Sequence, residues 1–203
     1  LHHILVDGTS VAILVRDLFA TPEPDAVPAG RIGEHGMQDD RLAPDADDLH
    51  FWREYFSSCA GTRLPRRSTA SSVTTVETAV VLAHDEALAF QDAWRSQGVS
   101  PFQWLMSLLA VHLGFSLGQK DIVLMSPLEL RAAGMDHVVG LHSRTLAYRT
   151  RWGDDETFAA LLSRQRKQIL SAWSHGSPSV HELRRHLAGE LPPALSEAGF
   201  TWH

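Results

Sequence analysis

From residue 9 to residue 20, apolar positions recur three and four apart. Val11, Leu14, Val15, Leu18 and Phe19 share one face while Arg16 and Asp17 take the other, the spacing of an amphipathic helix. Residues 1–6 before it are mostly apolar and read as a short strand carrying His2 and His3. Asp7-Gly8 breaks that strand, because glycine tolerates backbone angles that other residues resist, and Thr9 or Ser10 is expected to cap the helix. Residues 21–36, rich in proline and glycine, predict a loop. A second helix is expected over 47–57, with Leu49, Phe51, Trp52 and Phe56 as its apolar side.

Residues 57–72 are polar and irregular and read as a linker between two lobes. Strands and helices then alternate. Residues 74–84 predict a strand, and Asp85 is placed to cap a helix through Trp94, with Gly98 after its end. Ser100-Pro101 opens a helix that is apolar nearly all round over 102–115, hence buried. Residues 121–127 and 144–149 predict strands. A long helix over 156–173 carries Phe158, Leu161, Leu162, Ile169 and Leu170 on one side, and Ser177-Pro178 starts a last helix ending near Leu187. The sum is an α/β or α+β chain, a mixed sheet with helices, broken near 58–72.

Composition narrows the function. The 203 residues are 44% hydrophobic with a net charge of −6, and no long basic run favours nucleic acid. The one cysteine, Cys59, cannot close an internal disulfide and reads as an incidental thiol in a reducing, cytoplasmic setting. No apolar run reaches the roughly 20 residues that cross a bilayer, and no signal peptide is present. With no initiator Met, and with the histidine motif at the very first residues, the chain is expected to be a piece of something longer.

Twelve histidines raise the possibility of a metal site, but the spacing argues against it. In HELRRH, His181 and His186 point roughly 140° apart on a helix, whereas a zinc site needs ligands converging on one face. No metal is expected. His84, His112, His137 and His142 read as surface or satisfied core residues. There is no glycine-rich phosphate loop and no G-x-S-x-G elbow. The tryptophans read as core, with ligand stacking at Trp104 or Trp152 as the alternative. That leaves HHILVDG, which is either a buried strand ending in an Asp-Gly turn or a site presenting an imidazole.

The chain resembles the condensation domains of nonribosomal peptide synthetases, members of the chloramphenicol-acetyltransferase-like superfamily. HHILVDG is similar to the family's H-H-x-x-x-D-G motif, and LHFWREYF (49–56) to its aromatic helix. GQKDIVLMSPLELR (118–131) is similar to G-x-x-D-I-V-V-G-x-P-x-x-x-R, VGLHSRTLAYR (139–149) to I-G-x-F-V-N-T-L-x-x-R, and SHGSP (174–178) to H-Q-x-x-P-F-E. Five segments in the family's order are more specific than any one of them. Some positions depart. Met125 replaces a glycine, Arg144 an asparagine and Ala147 a proline or similar residue, and P-F-E is shortened to Pro178-Ser179-Val180.

The resemblance implies a two-lobed chloramphenicol-acetyltransferase-like architecture with an incomplete N-terminal lobe. Residues 1–65 would be the end of the first lobe and 66–203 most of the second. It implies an acyltransferase that joins a carrier-bound donor acyl thioester to the amine of a carrier-bound acceptor. Related enzymes use acyl-coenzyme A or an alcohol acceptor, and a third possibility is an inactive carrier-docking fragment. His3 would be catalytic, with His2, Asp7 and Gly8 in support, and Arg131, Arg144, Thr145 and Arg149 at the lobe interface or channel. Asp7 would pair with an arginine, expected upstream of Leu1, with Arg131 as the other candidate. No cofactor is bound directly, because substrates arrive on the phosphopantetheine of donor and acceptor peptidyl carrier domains. An adenylation domain would serve the same assembly line, with neither nucleic acid nor membrane as a partner.

Overall fold

The computed structural model describes residues 6–19, 44–65, 75–131, 133–193 and 195–202. The expected strand at residues 1–5 and the loop over 21–36 lie outside them. The elements are helices α1 (Gly8–Phe19), α2 (Ala46–Tyr55), α3 (His84–Ser96), α4 (Pro101–Leu117), α5 (Phe158–Ser174) and α6 (Val180–His186), and strands β1 (Asp121–Glu129) and β2 (Ser143–Arg151).

Local chemistry explains most boundaries. The Ser100 hydroxyl accepts from Gln103 N, and the Gln103 amide oxygen accepts from Ser100 N, with Pro101 in the first turn, so α4 starts where the sequence places it. Gly118 ends it in the left-handed region at φ 66°. The α3 start differs from expectation. Asp85 lies inside the first turn, and the Glu86 carboxylate accepts the Ala83 N–H at 2.8 Å. The expected strand over 74–84 does not form: residues 75–83 carry no regular secondary structure and have no ladder partner among the described residues, and Val76, Val80 and Val81 are exposed. Helix α4 is apolar all round yet only partly covered. Met106 and Ala110 are fully buried while Leu108 and Phe115 face outward.

β1 and β2 pair antiparallel from Asp121 opposite Arg151 to Glu129 opposite Ser143. The outer edge of β1 is covered by backbone from 195–200. Met125 N donates to Ala198 O, and Phe200 N to Met125 O. The Thr62 hydroxyl accepts from Val123 N at 2.7 Å. Helices α4 and α5 pack on the sheet, and Trp52 of α2 and Phe56 just past its end join the same core as Met106, Ile122, Leu124, Leu146, Tyr148 and Ile169. Because the strands are covered on both faces, Ile122, Val123 and Leu124 are all buried and no alternation shows there. Trp52 is wholly buried, and its indole N–H is satisfied by the carbonyl of His175 at 2.7 Å.

Arg149 ties α2 to the sheet. Its guanidinium forks onto Asp121, with Nε to Oδ1 at 2.8 Å and Nη2 to Oδ2 at 2.5 Å. Nη1 donates to the carbonyls of Tyr55 and Ser57, where the last turn of α2 leaves acceptors unpaired and favours a cation. Its own N–H donates to the Tyr55 hydroxyl at 2.8 Å. A lysine has the charge but not the fork. Arg149→Lys is therefore expected to cost about 1–3 kcal/mol, the scale of charge-assisted hydrogen bonds lost while the charge stays. Urea unfolding of the intact protein checks this, and a loss of only a few tenths of a kcal/mol would contradict it.

Candidate active site

The first turn of α1 is anchored by Asp7. Its Oδ1 accepts from Ser10 N at 2.8 Å and its carbonyl from Val11 N at 3.1 Å, so Asp7 caps the helix, not Thr9 or Ser10. Asp7, two residues before Thr9 and three before Ser10, reaches the third helical amide. Thr9 instead donates to the Glu129 carboxylate at 3.0 Å. Gly8 opens the helix without a left-handed φ and with nothing among the described residues within 4 Å of where a Cβ would stand. The turn therefore does not depend on glycine's angles, and the space beside Gly8 is open.

Asp7 is buried, and among the described residues its contacts beyond its own helix come from far along the chain. Nη2 of Arg131 lies 3.0 Å from Oδ1 and 3.2 Å from Oδ2. His142 N donates to Oδ2 at 2.8 Å, and Asp7 N donates to Gly140 O at 3.2 Å. The two side chains are 3% and 4% exposed, so this is a desolvated pair. Among the described residues Arg131, the second of the two candidates, is the partner. The exit of β1 carries it to α1 across 124 positions, which no spacing in the sequence could show.

The other terminal nitrogen of Arg131 is also used, while its Nε is buried without a hydrogen-bond partner among the described residues, 3.5 Å from Glu129 Oε1. Nη1 gives to the carbonyls of Met135, at 3.1 Å, and Val138, and Nη2 also reaches Ser10 Oγ at 3.3 Å. The Ser10 hydroxyl donates to Gly140 O and accepts from Gly140 N. Val6 and Ile13 pack with Val139 beneath this network. Burial pushes the Asp7 carboxyl up, but hydrogen bonds from Ser10 and His142 and the Arg131 charge outweigh it and hold it below its ordinary value.

Other predicted residues separate into distinct roles. His2 and His3 lie outside the described residues. Arg144 reaches α6, where Nη1 lies 3.4 Å from Glu182 Oε2 and donates to the carbonyl of Ser177. Burial pushes the Glu182 carboxyl up, yet the Ser179 amide and hydroxyl and the Arg144 charge leave it below its usual range. Thr145 is exposed on β2. Arg149 serves the α2–sheet clamp at the far end of β2. Burial pushes the Cys59 thiol up, which disfavours the thiolate and fits an inert cysteine.

Three residues of the network were not read as functional from the sequence. Ser10 was visible as a serine three positions after a capping aspartate. Gly140 was not, and a Cβ there would stand 2.9 Å from His142 Nε2. His142, read as a surface or satisfied core residue, holds Asp7 through its backbone. Its Nε2 is buried with no partner among the described residues.

With this geometry in hand, comparison with known proteins is informative. Residues 1–191 match the family model of the condensation domain. Chondramide synthase cmdD of Chondromyces crocatus is 26% identical over 190 residues, covering 86% of this chain and 5% of that protein. The first condensation domain of the calcium-dependent antibiotic synthetase aligns over 99% of this chain and 48% of its own, at a TM-score of 0.75 and 21% identity. SgcC5 of Streptomyces globisporus aligns over 98% and 49%, at 0.79 and 20%. The fold is therefore the chloramphenicol-acetyltransferase-like one of these domains, of which the chain spans about half.

The Asp7 pair makes a pH prediction. A carboxyl held low in the fold stabilises it fully above its unfolded pKa of about 3.9, and that stabilisation is lost as pH falls through the lower folded value. Asp7→Asn strands a buried guanidinium, so the variant should be about 3–5 kcal/mol less stable at pH 7. The gap should close progressively below about pH 4. Denaturant unfolding across pH checks both parts, and a gap independent of pH would contradict the ionic role.

Proposed function

This chain belongs to the condensation-domain family, and from that premise we propose that it carries the catalytic half of a peptide-bond-forming unit in a nonribosomal peptide synthetase. The observation that carries the reading is the buried Asp7–Arg131 pair. It locks the aspartate of the histidine motif onto the end of β1 and the 138–142 turn. Its cost is justified where the backbone leading to the motif must be held in one place. Residues 1–65 form the end of the first lobe, with α2 reaching into the core of the second, and 66–203 form most of the second.

In this reading the amine of the acceptor aminoacyl thioester attacks the donor thioester carbonyl. Neutral His3 accepts the amine proton or orients the amine. The tetrahedral intermediate collapses, the C–S bond breaks, and the phosphopantetheine thiolate leaves and takes up a proton. His2 and Asp7 keep the motif in shape. The Gly8 N–H, at the positive end of α1 and beside open space, is placed to favour the developing oxyanion. Because both substrates are tethered to carrier domains, orientation supplies much of the rate. Carrier and adenylation domains are the partners, in the cytoplasm, with no resident cofactor.

A second reading is an acyltransferase with an alcohol acceptor. SgcC5 favours it, having been solved with (R)-(-)-1-(2-naphthyl)-1,2-ethanediol. Offering a carrier-loaded donor an aminoacyl carrier and a diol in parallel separates the two by product mass. In the intact protein, His3→Ala should slow amide formation by roughly 10²–10⁴ while carrier binding persists. An unchanged rate would remove His3 from the chemistry.

A further inference from the structure

We propose that the cleft between the C-terminal end of α2 and the turn from β2 into α5 is a binding site for an organic carboxylate. It encloses about 670 Å³, within the usual size of small-molecule sites. It lies at the far end of the strands from Asp7. Ser143, beside the Asp7 network, and Arg151, in the cleft, are eight residues apart on β2, about 27 Å at the rise of a strand. A ligand here lies at the opposite end of β2 from the Asp7 network, so the site stands independently of the condensation reading.

The ligand class follows from which charges are already spent. Arg149 is neutralised by Asp121. Arg164 is held by Glu156, with Nε to Oε1 at 3.1 Å and Nη2 to Oε2 at 2.9 Å. Arg151 has no side-chain partner among the described residues and is exposed, so its guanidinium is free to take a planar anion. The hydroxyls of Ser57 and Ser58 face it from the α2 wall, also without partners among the described residues. Glu54 stands on that same wall, and its negative charge disfavours a dianion such as a phosphate.

Two further features fit a built site. Trp152 forms a fixed apolar wall. Its ring fills the space over Gly114, where a Cβ would collide with it, and its backbone N–H donates to Lys120 O at 3.0 Å. Ser58 has φ 59°, the one non-glycine positive φ among the described residues. Glycine is the usual residue just past a helix end. A serine there gives up backbone ease and supplies a hydroxyl to the cleft.

The test is calorimetric titration of the intact protein with indole-3-acetate, its neutral isostere indole-3-acetamide, phenyl phosphate, and a short peptide bearing one glutamate. The acid should saturate at least about tenfold more tightly than the amide and the phosphate. Arg151→Gln, an exposed change, should erase the preference for acid over amide. Ser58→Gly should weaken binding while raising the melting temperature, a combination that a purely structural serine would not give. Tighter binding of the peptide than of the free acid would assign the carboxylate to a partner protein, and the reverse to a small molecule; both support the site. Equal binding of acid and amide, no saturation by about 10 mM, or an unchanged preference in Arg151→Gln would overturn it.

Discussion

Two opposite charges out of reach of water govern this structure. Asp7 and Arg131 are each almost fully buried, and neither could stay there charged without the other. The pair also fixes geometry. The same carboxylate caps α1, takes the amide of His142 and receives the guanidinium. The guanidinium in turn gathers the carbonyls of Met135 and Val138. One ion pair thus joins the start of α1, the exit of β1 and the turn into β2. His3 stands only four positions before Asp7, so the backbone that leads to it starts from this fixed point.

A second arginine does comparable work at the other end of the strands. Arg149 forks onto Asp121 and gathers the carbonyls of Tyr55 and Ser57. A two-stranded pair is a weak scaffold alone. Here it is covered by α4 and α5, edged by residues 195–200, and clamped at both ends by guanidinium groups that collect backbone oxygens. The free guanidinium of Arg151 differs from both clamps, which is why the cleft beside it reads as a site and not as further bracing.

Much of the fold was legible because local signals dominated. The Ser100-Pro101 start and the Gly118 stop follow from capping, and α1, α4 and α5 lie near their expected places. The apolar face read for α1 is not the buried one: Ser10 and Ile13 are buried while Val11, Val15, Leu18 and Phe19 are exposed, as is Leu170 of α5. Partners were not legible. Asp7 could be read as structural, but its contact with Arg131 spans 124 positions, which no local signal shows. Arg144 and Arg149 carried the same label from the motif comparison, yet one reaches Glu182 and the other serves α2. The strand read over 74–84 shows the converse limit. Its sequence favours extension, but a strand is completed only by a neighbour.

The most direct measurement is a double-mutant cycle on Asp7 and Arg131 in the intact protein, following both unfolding free energy and amide-forming rate. The account predicts strong non-additivity in both, with a coupling of about 2 kcal/mol or more and a double variant little worse than either single one. Effects that simply add, in stability and in rate, would show that the two residues act separately, and the fixed point beneath the histidine motif would be lost.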